Sequence, residues 1–164
     1  MKIVLLGLVA LLATGCIHKP PTPTATPMQV RAIQSREFST TDDRMVMKAV
    51  LNVLQDEGFI AKNAVTDLGL ISAMKETDVS KRSDQIWGSI FAGPDARWPM
   101  MDVIEATANI SPFGKSTRVR ISFHQRVLDN RGATMSTFEI TDALIYRDFF
   151  AKVDKGLFIE KQRI

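Results

Sequence analysis

The sharpest pattern in the chain lies between residues 43 and 57. Val46, Val50, Val53 and Leu54 recur at helical intervals, with Met47 and Ala49 beside them, so the segment predicts an amphipathic helix. Ser39-Thr40-Thr41-Asp42-Asp43 offers hydroxyls and carboxylates for its first turn, and Gly58 is the expected stop. A second stripe, Ile145, Phe149, Val153 and Leu157, is widened by Tyr146, Phe150 and Phe158 and predicts a helix from Thr141-Asp142 to about Glu160. Gly156 lies inside it. Glycine there costs about 1 kcal/mol relative to Ala, and its expected return is close approach to a sheet. Elsewhere the period is two. Over 117–127, Val119, Ile121, Phe123, Gln125 and Val127 fall on one face and Arg118, Arg120, Ser122, His124 and Arg126 on the other. Over 102–110, Ile104, Ala106, Ala108 and Ile110 oppose Glu105, Thr107 and Asn109. Weaker strands are expected over 28–38, anchored by Val30, Ile33 and Phe38, and over 59–64, 70–76 and 133–138. Turn residues at 66–69, 111–115 and 129–132 separate them, and the first of these turns joins a hairpin.

The order β-α-β-β-insert-β-β-(β)-α predicts the α+β class. Residues 28–164 should form one two-layer domain, an antiparallel sheet packed by two amphipathic helices. In element order and anchor placement this resembles the helix-grip domains of outer-membrane lipoproteins, such as that of the C lipoprotein of the β-barrel assembly machinery.

The first residues read differently. Lys2 precedes eleven uncharged residues, Ile3 to Ala13, and then Thr14-Gly15-Cys16. A bilayer-crossing helix needs about 20 apolar residues, whereas eleven suits the apolar region of a signal peptide. Small residues directly before a sole cysteine resemble the lipobox of bacterial lipoproteins. One position departs from that pattern: Ala13 stands three before the cysteine, where Leu is commonest. The resemblance implies cleavage after Gly15, a diacylglyceryl group and an N-acyl chain on Cys16, and hence a membrane partner through that lipid. Ile17 follows the cysteine. In diderm lipoproteins an Asp there commonly retains the protein at the inner membrane, so the resemblance implies the periplasmic face of the outer membrane. Residues 17–27 hold four of the seven prolines and are expected to be an extended tether, roughly 30 Å long at about 3.1 Å per residue. His18 is expected to be a solvated residue of that tether.

Composition narrows the chemistry. The 164 residues carry a net charge of +3, with 45% apolar and 24% charged residues, an ordinary globular balance. So small an excess of positive charge calls for no nucleic-acid partner. One Cys and two His leave no material for a disulfide or a thiolate metal cluster and little for a histidine site, so no metal or cofactor is expected. No Walker loop, GxSxG, HExxH or dinucleotide fingerprint occurs. His124 reads as a surface histidine. Asp42-Asp43, Glu139 and Asp142 read as first-turn carboxylates of helices. The expectation is therefore a binding or scaffold lipoprotein with an envelope partner, not an enzyme. The alternative is a carrier of a small apolar ligand in the cleft between helix and sheet.

Two surfaces could carry the binding. The insert 77–101 holds Trp87, Phe91 and Trp98 together with Ile86, Ile90, Met100 and Met101, interrupted by Gly93-Pro94. It is long for a connection, and its aromatics suit either a partner contact or a satellite core. Arg118, Arg120 and Arg126 project from one strand face. They could meet anionic groups, or they could pair with Glu105 and similar neighbours on a solvated sheet.

Overall fold

The computed structural model describes residues 26–79 and 97–162. Its elements are helix α1 (Pro27–Ile33), strand β1 (Ser35–Phe38), helix α2 (Asp43–Asp56), strands β2 (Ile60–Val65), β3 (Leu70–Asp78), β4 (Pro99–Phe113), β5 (Ser116–Asp129) and β6 (Thr134–Glu139), and helix α3 (Ala143–Gln162). The fold is α+β. Its six-stranded antiparallel sheet, ordered β1-β5-β4-β3-β2 with β6 also on β5, stays open and is packed by helices on one face.

α2 forms as its spacing demands. The Asp42 carboxylate accepts from the Met45 N–H at 2.8 Å, a side-chain N-cap. At the far end the Gly58 N–H donates to Gln55 O and the Phe59 N–H to Leu54 O, both at 2.9 Å. That paired closure needs a left-handed residue, and Gly58 supplies it with φ 84°. Val46, Met47, Ala49, Val50, Val53 and Leu54 are all buried, against Ile71, Ala73, Ala106, Ala108, Ile110, Val119, Ile121 and Phe123 of the sheet. An aromatic chain threads the same core. Phe123 lies 5.9 Å from Phe59, 5.5 Å from Tyr146 and 5.7 Å from Phe149, centroid to centroid. Such pairs each add about 0.5–1.5 kcal/mol beyond area burial.

The sheet's β5 edge is divided between two strands. β1 covers Thr117 to Arg120 and β6 covers His124 to Leu128. The gap between them is closed by buried polar groups, as it must be. The Ile121 N–H donates to Gln34 O at 2.9 Å. The Phe123 N–H donates to the Tyr146 hydroxyl at 3.3 Å, which itself donates to Ile140 O at 2.8 Å. Burial pushes the Tyr146 pKa up and the charge of Glu139 adds to that, outweighing the opposing hydrogen bonds from Gln34 and Phe123.

Several expectations need correction. Residues 28–38 are not one strand. Thr26, assigned above to the tether, forms a capping box with Gln29, Pro27 opens the helix, and α1 runs to Ile33 before a four-residue strand. Thr-Pro-x-Gln is a helix start, and it outweighs the imperfect alternation of Val30 and Ile33. The 111–115 turn is tighter than expected, because β4 runs to Phe113 and β5 begins at Ser116. The insert loses both ends: Thr77 pairs with Asp102 and Asp78 with Met101. In α3 the buried side chains are Tyr146, Phe149, Phe150, Val153 and Leu157, while Ile145 and Phe158 are exposed, so the stripe is rotated toward 146 and 150.

Gly156 faces α2, not the sheet, and a Cβ built on it would lie 3.8 Å from the Ala49 Cβ. That is ordinary van der Waals distance. Gly156→Ala is therefore expected to stabilise the domain by about 1 kcal/mol, read as a raised denaturant midpoint. A lowered midpoint would mean that the two helices depend on the missing methyl.

Candidate functional site

Among the described residues an apolar cleft of about 280 Å³ opens where the C-terminal end of α2 parts from α3 over the sheet. Each lining residue is there for a local reason. The turn that ends α2 delivers Phe59. Ile104 and Phe123 are the helix-facing members of the β4 and β5 alternation, and Ile140 follows β6. Ile145, Asp148, Phe149 and Lys152 come from one face of α3 at helical spacing. The floor is thus apolar, and the rim is charged.

The rim charges are held in place. Lys152 Nζ lies 2.7 Å from Glu57 Oε1 and 2.6 Å from Asp148 Oδ2. The hydrogen bonds to Asp148 and Glu57 raise the Lys152 pKa above the usual lysine range, against a smaller effect of burial. Lys75 Nζ donates to Glu57 O at 2.7 Å and stands 5.9 Å from the Phe59 ring centroid. Apolar surface continues past the mouth. Ile145 is 45% exposed and Phe138 47%. Phe138 sits opposite Gln125, on the helix side of the sheet. Leu144, one turn before Asp148, is exposed as well. Contiguous apolar surface around a concave site is the usual mark of a binding region.

The residues singled out from the sequence fall in different places. Cys16, His18, Trp87 and Phe91 lie outside the described residues. Trp98 is half-buried, and its carbonyl accepts from the Asn130 N–H at 3.1 Å. It thus adjoins the turn built on Asp129, whose Oδ1 accepts from the N–H groups of Arg131 at 2.9 Å and Ala133 at 2.8 Å. Arg97 Nη1 stands 3.4 Å from Asp129 Oδ2. Burial acts to raise the Asp129 pKa. The two backbone donors, with the charges of Arg97 and Arg131, outweigh it and hold the carboxyl below its ordinary range. The sequence marks this segment as a turn, but not its buried carboxylate.

The arginine stripe divides. Arg126 pairs with Glu105. Arg118 pairs with Glu37 at 2.9 Å and lies 3.4 Å over the Phe113 ring. Among the described residues Arg120 has no ion-pair partner. His124 is exposed on the same face. Asp142 caps α3 through the Leu144 N–H at 2.8 Å. Glu139 departs from its expected role: it ends β6, and its carboxylate accepts from Gln34 Nε2 at 2.7 Å.

Among the described residues no three His, Cys, Asp or Glu side chains are grouped to hold a metal ion, and no helix is long and apolar enough to cross a membrane. Comparison of the chain with protein-family models and with curated proteins finds no match.

Proposed function

We propose that the chain is a lipid-anchored periplasmic binding lipoprotein, held at the outer membrane through Cys16, whose folded domain receives an apolar segment of an envelope protein in the cleft between α3 and the sheet. The observation that carries this reading is a cleft whose floor, half-buried Phe59 and Ile104 over the buried rings of Phe123 and Phe149, is flanked by exposed Ile145. The polar side chains support binding and not catalysis. Asp42 and Asp142 are used as caps, and Lys152 is held between two carboxylates at the rim.

Ile145→Arg tests the reading. The side chain is already half in solvent, so the melting temperature should hold within a degree or two. A buried apolar anchor lost from an interface costs about 2 kcal/mol, roughly thirtyfold in affinity. The partner recovered with the native lipoprotein from detergent-solubilised envelope should fall accordingly. Equal recovery with the variant would reject the cleft as the docking surface.

The cleft's apolar floor also favours a second reading, a carrier of a small apolar ligand. Lipid co-purifying with the native protein at close to one molecule per chain would select it, whereas a stable protein complex without lipid selects the first.

A further inference from the structure

On the sheet face turned away from the helices, cations cluster around the place where the N-terminal segment joins the fold. Arg31 of α1 and Arg120 of β5 line two adjoining depressions. The first, of about 300 Å³, also takes Ser35, Asn109, Ser111 and Arg118. The second begins at Pro27, the first residue of the domain's first helix. Among the described residues neither Arg31 nor Arg120 has an ion-pair partner. Two carboxylates stand nearby: Glu37 is paired with Arg118, and Glu139, which lines the second depression, accepts from the Gln34 amide, an uncharged donor that does not neutralise it.

Apolar side chains flank these cations. Phe113, 45% exposed near the tip of the β4–β5 hairpin, carries the Arg118 guanidinium over its ring. Leu70, 38% exposed, pairs with Asn109. Exposed Lys115 completes the tip. Unpaired arginines beside a surface aromatic and a surface leucine are the composition of a membrane-interface contact. The position fits as well. Nine residues lie between Cys16 and Thr26, ten Cα–Cα steps with a reach of at most about 35 Å, and Pro27, which follows Thr26, shares a depression with Arg31.

We infer that this face, centred on Arg31, Arg120 and Phe113, docks the domain on the anionic phospholipid headgroups of the membrane that holds its anchor. The inference rests on the lipid-anchor reading. The single lipidated cysteine fixes only one point, and the basic face fixes the domain's orientation on the bilayer, leaving the α3 cleft on the opposite side of the sheet open to a partner.

The test uses the full chain carrying Cys16→Ser, so that no acyl group contributes. Its sedimentation with phosphatidylcholine vesicles is compared with that on vesicles containing phosphatidylglycerol. Arg31→Gln with Arg120→Gln should weaken binding to the anionic vesicles about thirtyfold and leave binding to neutral vesicles unchanged. Phe113→Ser should weaken it further. The apolar leader adds the same binding free energy to every chain, so chains are compared by the ratio of their partition coefficients, each measured at lipid concentrations that leave about half of the chain unbound. Both arginines are unpaired, so the melting temperature should not move. Equal binding of parent and double variant to anionic vesicles would overturn the inference. The anchor is read separately, as acyl mass on the Cys16 peptide of the native protein, so its failure is distinguishable from failure of the face.

Discussion

Val50→Asp should abolish cooperative folding. Val50 is wholly buried on the inner face of α2. Its replacement removes about 1.5–3 kcal/mol of apolar burial and leaves a carboxyl without a partner. Keeping that carboxyl neutral near pH 7 requires a pKa raised by about three units, a further 4 kcal/mol or so. The total, about 5 kcal/mol or more, matches the whole stability of many domains. The chain should give no sigmoidal thermal transition and a circular dichroism spectrum short of helix. A melt like that of the parent would mean that α2 packs by another face.

Gly69→Ala is expected to be nearly as damaging, for a different reason. Gly69 ends the short 3₁₀ turn between β2 and β3 at φ 60°. A Cβ built there would stand 1.9 Å from Ile110 O, because the Gly69 carbonyl accepts from the Ile110 N–H at 2.8 Å. The substitution combines a left-handed alanine, about 1–2 kcal/mol, with displacement of backbone against backbone, about 1–3 kcal/mol. A loss of about 3–4 kcal/mol in a urea titration is expected. Gly132→Ala separates the two causes: its φ is 77° with nothing within 4 Å of the added methyl, so it should cost only the conformational part. Equal losses at the two positions would show that crowding at Ile110 contributes nothing.

What the sequence discloses follows from how local each cause is. α2 is legible because cap, stripe and stop all lie within the segment. β4 and β5 are legible because over most of their length one sheet face is buried and the other is not, so Ala106 and Ala108 alternate cleanly with Glu105 and Thr107, although Val103 is buried on the far face. Strand ends are less legible, since pairing sets them: Asp78 and Met101 extend their strands only because they meet each other. α1 is hidden because Thr26 and Pro27 close a proline-rich run, and composition over that run points away from a helix. In α3 the burial of Tyr146 reflects a duty absent from any helical periodicity, the supply of a hydroxyl to Phe123 N–H at the gap between β1 and β6. The cleft was foreseeable as a place between helix and sheet, but not residue by residue. Phe59, Ile104, Phe123, Ile140 and Phe149 come from separate elements, and only the tertiary arrangement brings them together.

The most direct measurement is site-specific photo-crosslinking in intact cells, with the reactive residue placed at Ile145. Phe158 serves as control: it is an equally apolar, more exposed position of α3, about 20 Å along the helix. A lipid-anchored domain that binds through the α3 cleft predicts a discrete adduct with an envelope protein from position 145 and none from 158. An adduct from 158 alone, or none from 145 while the protein is present in the membrane fraction, would contradict it.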